Sequence, residues 1–279
     1  MSTAKQKAED FRRMHQAPPI LVLVNAWDVA SARIFASVGA RAIATSSAGV
    51  AFALGYPDGQ KIPRRLMIES IARIAASVDL PVTADVESGY GPGIADATDT
   101  AQTVIDSGAI GLNFEDATND PASPLFPVDA QRRRLEAIRN AAERAGIPLV
   151  INARTDVFLG EVGEPSTRFA EAVRRVNAYR ESGADCLFIP GVTDAGTIQR
   201  LAREVAGPLN ILVGPEAPPI SELESLGVRR VSVGSQIMRA TLATARDAAR
   251  ELLEKGTYRG FLDRTIPYDE LNQLMSRDS

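Results

Sequence analysis

One local pattern occurs four times along this chain of 279 residues. The segments are SVGARAIATSS (37–47), DSGAIGLNFED (106–116), ESGADCLFIPG (181–191) and SLGVRRVSVGS (225–235). Each reads as the end of a helix, then a glycine, then an apolar run. Glycine suits the left-handed position that closes a helix, and short aliphatic runs are typical of buried strands. The pattern therefore predicts helices that alternate with buried strands.

The same reading extends over the whole chain and predicts eight strands. We expect them near 20–24, 41–45, 82–86, 110–115, 148–152, 185–189, 209–213 and 230–233. Helical periodicity fills 28–38, 64–77, 94–107, 128–145, 166–182, 195–205 and 235–254, and 215–227 has room for a short helix. Eight alternations favour a (β/α)₈ TIM barrel. The alternative, an open doubly wound sheet, would need a glycine-rich dinucleotide loop after an early strand, and the sequence has none.

The chain is interpreted as a single domain, 1–279, because no linker rich in Pro, Ser or Gly divides it. An N-terminal helix within 1–18 and a C-terminal helical region, 235–279, are expected to flank the barrel. The C-terminal region carries more apolar residues than a simple outer-ring helix needs. Packing against another subunit is one explanation.

Composition narrows the class of protein. A net charge of −4 argues against nucleic acid as the main partner. No apolar run is long enough to span a bilayer, and the charged N-terminus lacks the apolar centre of a signal peptide. The lone cysteine, Cys186, excludes an intrachain disulfide and suits a reducing compartment, so a cytoplasmic protein is expected. Cys186 is expected in the core and the single histidine, His15, at the surface.

Four of the predicted strands end in charged or amide side chains, in TADVESGYG (83–91), LNFEDA (112–117), INARTD (151–156) and LNILVG (209–214). In a barrel the carboxyl ends of the strands meet at one face, where active sites lie. Two residues apart on a strand, Asp85 and Glu87 would project to the same side. Like charges repel unless a positive charge lies between them. With Glu115 they form an oxygen-ligand set that suits Mg²⁺ or Mn²⁺.

Each of these residues also has a structural interpretation. Arg154 can bind a substrate carboxylate through two parallel hydrogen bonds, or it can pair with Asp156 or Glu115. The acids at the strand ends can instead cap the helices that follow. The residues alone leave both interpretations open.

Together the motifs resemble the isocitrate lyase/phosphoenolpyruvate mutase superfamily over roughly residues 20–255. The segments that carry the resemblance are SSAGVAFALGYPD (46–58), TADVESGYG (83–91), NFED (113–116), NARTD (152–156) and AVRRVNAYRESGAD (172–185). The resemblance implies a barrel fold and a Mg²⁺ ion that holds an α-keto acid or its enolate. It also implies a homodimer or homotetramer, because the last helix is commonly exchanged between subunits in this family.

The resemblance also implies a role for individual residues. It assigns Asp85, Glu87 and Glu115 to the metal, in part through water. It places the substrate carboxylate on the backbone N–H groups and hydroxyl of a loop, and other substrate oxygens on an arginine and a strand-seven amide. In this sequence those positions are Ser46, Ser47, Ala48, Arg154 and Asn210, and Asp58 matches a family acid near the metal.

Two departures leave the reaction open. The segment 117–131, ATNDPASPLFPVDAQ, lacks both the Lys-x-Cys-Gly-His of the isocitrate lyases and the Lys-Thr-Asn of the phosphonomutases. Pro190 and Gly191 stand after strand six, where relatives carry Glu or His. Efficient isocitrate cleavage is therefore not expected.

The leading hypothesis is a Mg²⁺-dependent lyase that breaks or makes a C–C bond next to an α-keto acid. Tyr90, Asp58 or a water on the metal is expected to act as general acid or base, and the sequence does not choose among them. Phosphonate P–C chemistry and oxaloacetate decarboxylation are alternatives within the superfamily. A non-catalytic keto-acid-binding protein is the alternative from another class.

Overall fold

The computed structural model describes residues 3–276, and in it eight parallel strands close into a barrel in chain order, β1 to β8. The strands are β1 Leu21–Ala26, β2 Ile43–Thr45, β3 Val82–Asp85, β4 Gly111–Glu115, β5 Val150–Arg154, β6 Cys186–Phe188, β7 Leu209–Leu212 and β8 Arg230–Ser232. The predicted (β/α)₈ barrel is confirmed. Strand β5 lies two residues later than expected, and Arg154, expected at a strand end, is its last residue.

Twelve α-helices connect and flank the strands in this part of the chain. They are α1 Ala4–Met14, α2 Val29–Ser37, α3 Ser47–Ala53, α4 Arg64–Ala75, α5 Ile94–Asp106, α6 Val128–Arg144, α7 Pro165–Glu181, α8 Ala195–Glu204, α9 Ile220–Ser225, α10 Gln236–Arg250, α11 Arg259–Leu262 and α12 Tyr268–Met275. A π-helical turn, Glu251–Lys255, follows α10. The sequence did not predict α3 or α11.

Helix α1 closes the N-terminal end of the barrel. Its Phe11 is fully buried in a cluster with Leu21, Leu23 and Val150, whose side chains fill the lower interior. Gly111 makes room for this ring, since an added Cβ would stand 3.0 Å from a Phe11 ring carbon. The predicted N-terminal helix is therefore part of the barrel core.

The expectation that His15 lies at the surface is wrong. It follows directly after α1, is 2% exposed, and its ring meets the Phe11 ring edge to face with centroids 4.7 Å apart. The sequence shows only a charged helix, and the burial follows from how α1 lies against the barrel. Cys186 is fully buried, as expected, and burial raises the pKa of its thiol to about 12.

The C-terminal helices are far less buried than the others. Of the fifteen residues of α10 only Met238 is buried, whereas α6 buries six of seventeen. Helix α12 lies against α2, where Arg33 Nη1 donates to the carbonyl oxygens of Leu274 at 3.2 Å and Met275 at 2.5 Å. Exchange of the last helix between subunits stays a prediction.

Within residues 3–276 no helix is both long enough and apolar enough to cross a bilayer. The outer ends of the two predicted terminal regions, 1–2 and 277–279, lie outside the described residues.

Candidate active site

A cavity of about 200 Å³ lies at the C-terminal ends of the strands. Its wall includes residues from both halves of the barrel. They are Asn25, Ser46, Ser47, Ala48, Asp58, Asp85, Asn113, Arg154, Leu159, Phe188, Leu212, Ser232, Gly234 and Ser235. The structure thus brings together six of the predicted site residues around one small space.

Larger clefts open at the other end of the barrel. One of about 620 Å³ lies beside α1 and is lined by Arg12, Arg139 and Asp185, among others. Arg139 donates to the Leu149 and Gly183 carbonyl oxygens and pairs with Asp185 at 2.6 Å. Because the chain itself uses these side chains, the small cavity is the better candidate.

Asp85 ends β3 with one carboxylate oxygen bonded and one free. Its Oδ2 accepts the Ser47 backbone N–H at 3.0 Å and the Ser47 hydroxyl at 2.8 Å. Its Oδ1 is buried and has no hydrogen-bond partner among the described residues. A buried carboxylate oxygen without a partner is unfavourable in a protein. The geometry therefore provides one hard oxygen ligand for a cation.

The segment expected to be a carboxylate-binding loop is the start of a helix. Ser46 is the N-cap of α3, and its hydroxyl accepts the Gly49 N–H at 3.1 Å. The Ser46 N–H is bonded to the Ala26 carbonyl oxygen at 3.1 Å, and the Ser47 N–H is bonded to Asp85. Ala48 lies in the first turn, where a backbone N–H has no acceptor within the helix. Of the three predicted donors, Ala48 is the one whose N–H is available to a ligand.

Three further acids, Glu87, Glu115 and Asp58, lie near Asp85. Burial and the neighbouring negative charges raise the pKa of each. Burial, followed by the charges of Asp85 and Asp58, raises the pKa of Glu87 to about 8. Burial also raises the pKa of Glu115 well above its ordinary value, although Arg154 opposes the shift. Asp58 lies at the rim of the cavity, and its pKa is raised by partial burial and by Asp85. The protein alone supplies too little positive charge for all of these carboxylates.

These acids do not form a ready-made cage of ligands. In the described part of the chain no three His, Cys, Asp or Glu side chains converge as a direct metal-ligand set. Mg²⁺ commonly uses one or two carboxylates and keeps several waters. The donor set fits such an ion, since Asp85 Oδ1 is a buried oxygen without a protein partner in residues 3–276.

The link between Asp85 and Glu87 differs from the predicted one. Strand β3 ends at Asp85, and Glu87 adopts a left-handed conformation with φ 51°. The turn, and not the pleat of a strand, brings the two acids together. Gln60 and Tyr90 also have positive φ, 58° and 61°, and the Tyr90 N–H donates to Gln60 Oε1 at 2.6 Å. Three of the five non-glycine residues with positive φ in residues 3–276 thus belong to this side of the site.

A buried arginine fixes the turn after β3. Arg134 of α6 donates to the backbone carbonyl oxygens of Ser88 and, at 2.8 Å, of Gly91. Its guanidinium lies 4.7 Å from the centre of the Phe114 ring. Gly89 has φ 88°, and a Cβ there would stand 2.7 Å from the Phe114 ring, so this position requires glycine.

Arg154 bridges two carboxylates at the end of β5. Its Nη1 lies 2.9 Å from Glu115 Oε2, and its Nη2 donates to Asp156 Oδ2 at 2.8 Å. Burial lowers the pKa of Arg154, but the two carboxylates outweigh that effect and the net shift is upward. Arg154 also lines the cavity, so the ion-pair interpretation and the ligand-binding interpretation are compatible.

Asp116 has a structural role next to this pair. It is fully buried and accepts hydrogen bonds from the Tyr179 hydroxyl at 2.6 Å, the Thr155 hydroxyl at 2.7 Å and the Asp156 N–H at 2.9 Å. Arg175 pairs with it at 3.1 Å. Asp116 thereby holds the β5 end on which Arg154 and Asp156 lie.

Four predicted residues do not line the cavity itself, namely Glu87, Tyr90, Glu115 and Asn210. The Tyr90 hydroxyl is buried and lacks a partner within residues 3–276, and burial with the nearby Glu87 raises the pKa of Tyr90. Asn210 is fully buried, and neither polar atom of its amide has a protein partner in the same range. Asn210 therefore lies deeper in the barrel than the cavity.

The sequence reasoning missed several wall residues, namely Asn25, Leu159, Phe188, Leu212 and Ser232. Asn25 was detectable in principle, because it is an amide at the end of the apolar run LVLVNA. It joins three strands: Nδ2 donates to the Thr45 carbonyl oxygen at 2.9 Å, and Oδ1 accepts the N–H groups of Val233 and Gly234. The apolar wall residues carry no signal that separates them from core residues.

The chain is similar in sequence and in fold to known proteins. Residues 11–253 match the family model described as phosphoenolpyruvate phosphomutase. A Mycobacterium tuberculosis protein is 34% identical, over 94% of each chain. A provisionally named lyase/mutase of Burkholderia cenocepacia is 35% identical with a TM-score of 0.91, over 99% of this chain and 98% of that one. The structure of 2,3-dimethylmalate lyase is 28% identical with a TM-score of 0.84, over 98% and 95%.

Proposed function

Since the chain belongs to the isocitrate lyase/phosphoenolpyruvate mutase superfamily, we propose that it is a divalent-metal-dependent lyase. The bond it cleaves or forms is a C–C bond next to the carbonyl group of a small α-keto acid. The observation that carries the proposal is the unpartnered Oδ1 of Asp85, on the wall of a cavity that also presents Arg154. One group supplies a ligand for a cation and the other a donor for an anion.

The metal would be held by Asp85 directly and by Glu87 and Glu115 in part through water. When bound, Mg²⁺ or Mn²⁺ supplies a Lewis acid that polarises the oxygens of a keto acid. The acids near Asp85 support this assignment. Burial first, and then neighbouring negative charges, raise the pKa values of Glu87 and Glu115, and a dipositive ion would offset the shift by favouring the ionised carboxylates.

Arg154 would act on the substrate oxygens from the opposite side. The ion pairs to Glu115 and Asp156 hold its guanidinium in one place. A fixed donor is most effective where negative charge develops, which here is the carbonyl oxygen of the forming enolate. Loss of one such donor typically costs about 3–4 kcal/mol, or ~10²–10³ in rate.

The cavity favours a substrate with a single permanent carboxylate. Among its wall residues in the described chain, Arg154 is the only basic side chain, while Leu159, Phe188 and Leu212 are apolar. A second carboxylate held against this apolar part would be desolvated without a partner. A keto acid with a small uncharged substituent therefore fits better than isocitrate, which also agrees with the missing cysteine in 117–131.

Decarboxylation of a β-keto dicarboxylate is the second candidate, because the desolvation that disfavours binding of a second carboxylate also favours its loss. A carboxylate beside Phe188 and Leu212 is poorly stabilised as an anion; it leaves as neutral CO₂, and the electron pair of the broken C–C bond passes to the enolate of the remaining keto acid. Asp58 at the rim and Tyr90 are the proposed general acid/base groups for either reaction, because both lie near Asp85 and Glu87.

The test is exchange of the pyruvate methyl hydrogens with deuterium from D₂O, followed by NMR with and without Mg²⁺. Mg²⁺-dependent exchange that is lost with EDTA and in Asp85→Ala is expected. Oxalate binding without exchange would instead indicate a non-catalytic keto-acid-binding protein. Release of CO₂ from oxaloacetate separates the two lyase candidates, and rapid isocitrate turnover would contradict the proposed substrate class.

A homo-oligomer through residues 235–275 is also proposed. One support is the apolar surface of this region, where Leu253 is 87% exposed and Tyr258 57%. Another is Val22 on β1, whose side chain is 41% exposed. A dimer or tetramer is expected by light scattering. A species of 29.8 kDa at micromolar concentration would show the proposal to be wrong.

A further inference from the structure

Arg230 lies inside the barrel without a carboxylate partner. It begins β8 and is fully buried, and no Asp or Glu oxygen lies within 4.0 Å of it among residues 3–276. Its two hydrogen-bond partners are both neutral. Nη2 donates to Asn113 Oδ1 at 3.1 Å, and Nη1 lies 3.4 Å from His15 Nε2.

The directions of these hydrogen bonds are fixed by the chemistry of the groups. A guanidinium only donates, so the Asn113 atom that faces Arg230 must be its carbonyl oxygen. The same oxygen accepts from Asn152 Nδ2 at 2.6 Å. His15 Nδ1 is bonded to the Phe11 carbonyl oxygen at 2.8 Å, which leaves Nε2 as the acceptor for Arg230. The Asn113 amide therefore cannot flip without placing its NH₂ group against the guanidinium.

The other end of the Asn113 side chain is available to a ligand. Asn113 lines the active-site cavity and is the direct register partner of Asp85 in the β3–β4 pair. Its Nδ2 makes no hydrogen bond to the described residues, and it is not among their buried atoms that lack a partner. An NH₂ group that is accessible from the cavity and unused by the protein is a donor without an acceptor.

We propose that Asn113 is a substrate-binding residue whose amide NH₂ donates to an oxygen of the bound acid, and that Arg230 is the positioning residue that fixes this orientation. The inference rests on the proposed function for the class of ligand, a small carboxylate or its enolate. A neutral donor is suited to this place, since it binds an anion beside Asp85 without neutralising the carboxylate that holds the metal. Arg230 acts from within the barrel and does not touch the substrate.

Substitution of Asn113 by aspartate separates binding from stability. Asn113→Asp keeps an acceptor for Arg230, turns the contact into an ion pair and removes the donor that faces the cavity. We expect the melting temperature to rise while the affinity for oxalate in the presence of Mg²⁺, measured by calorimetry, falls ~10- to 100-fold, as for a lost hydrogen bond to a charged group. A purely structural role for Asn113 would move both quantities in the same direction.

Two further variants control for the added charge. Asn113→Leu removes the donor without adding charge and should weaken oxalate to a similar extent. Asn25→Asp adds the same charge to the same cavity, but the Asn25 amide nitrogen is already bonded to the Thr45 carbonyl oxygen, so no ligand donor is lost. Oxalate affinity in Asn25→Asp should exceed that of Asn113→Asp by about tenfold. Equal affinities of these two variants would mean that charge alone acts, and would overturn the inference.

The positioning role is tested at Arg230. Arg230→Lys keeps a donor toward Asn113 and should bind oxalate nearly as wild type, whereas Arg230→Met should bind it several-fold more weakly. If the wild-type protein binds oxalate and Asn113→Leu binds it equally well, this inference alone is overturned. No oxalate binding by the wild-type protein would overturn the proposed function and this inference with it.

Discussion

Two arginines of the barrel strands, Arg154 at the mouth and Arg230 in the interior, are held in opposite ways. Arg154 pairs with Glu115 and Asp156, and its pKa is raised despite burial. Among the described residues Arg230 has only an asparagine and a histidine as partners, and burial lowers its pKa to about 10. At the mouth, charges of both signs are paired and can exchange partners with a ligand. In the interior, the charge of Arg230 is held only by the dipoles of neutral side chains, and it fixes their orientation. A gain in stability does not explain a buried charge held in this way.

The largest expected effect tests this difference directly. Arg154→Met leaves Glu115 and Asp156 buried without their partner and should lower the free energy of unfolding by about 3–5 kcal/mol in metal-free buffer. Arg230→Met removes a charge that has no carboxylate to leave behind and should change it by about 1 kcal/mol or less, in either direction. Urea denaturation at pH 7 measures both. Equal losses would mean that the two arginines are held alike.

The next effect concerns the free carboxylate oxygen at the mouth. Asp85→Ala removes the one buried acidic oxygen in residues 3–276 that lacks a protein partner, and it should weaken Mg²⁺ binding at least ~100-fold, or about 2.7 kcal/mol. Calorimetry at neutral pH measures it. Asp194→Ala is the control, because that carboxylate caps α8 away from the cavity. If Asp85→Ala binds Mg²⁺ as the wild type does, the acids at the mouth have a structural role only.

A smaller effect probes the interior through pH. Burial, with Arg230 next, lowers the pKa of His15 from 6.5 to about 3, so the native protein excludes a proton that the unfolded chain binds. Stability is therefore lost as pH falls below 6.5, by about 1.4 kcal/mol per pH unit, or about 2 kcal/mol at pH 5. His15→Gln has no such proton to exclude. The wild type should lose about 2 kcal/mol more than this variant between pH 6.5 and 5, and parallel losses in urea denaturation would contradict the assignment.

The sequence predicted the barrel well, because an apolar run marks each strand independently of its neighbours, and four of these runs follow a glycine that closes a helix. The acids at the strand ends and Arg154 were also detectable, since charge at the end of an apolar run is unusual. Helix α3 was missed because SAGVAFA is short and its cap, Ser46, precedes no clear periodicity. The burial of His15 could not be predicted, because it depends on where α1 packs.

The polar residues of the barrel interior can be recognised as partners only once the strand register is known. Asn113 and Asn152 are register partners on neighbouring strands, as are Asn210 and Arg230. In the sequence each asparagine is an isolated polar residue within an apolar run, and Arg230 follows Arg229. An arginine at the start of a strand normally points to solvent, so GVRRVSVG gives no reason to place Arg230 inside the barrel. Which residues face one another across the interior is a property of the closed barrel and not of any single segment.

The left-handed residues Gln60, Glu87 and Tyr90 have a consequence for how such a protein changes under selection. Each is an L-residue in a backbone conformation that glycine adopts without strain. For an L-residue this conformation has a cost of the order of 1 kcal/mol. Glycine at these positions would thus favour heat resistance while removing the side chains beside the acid cluster. A library screened for thermal tolerance alone is expected to accumulate glycine there and to lose its chemistry, whereas a screen for turnover would retain the strained residues.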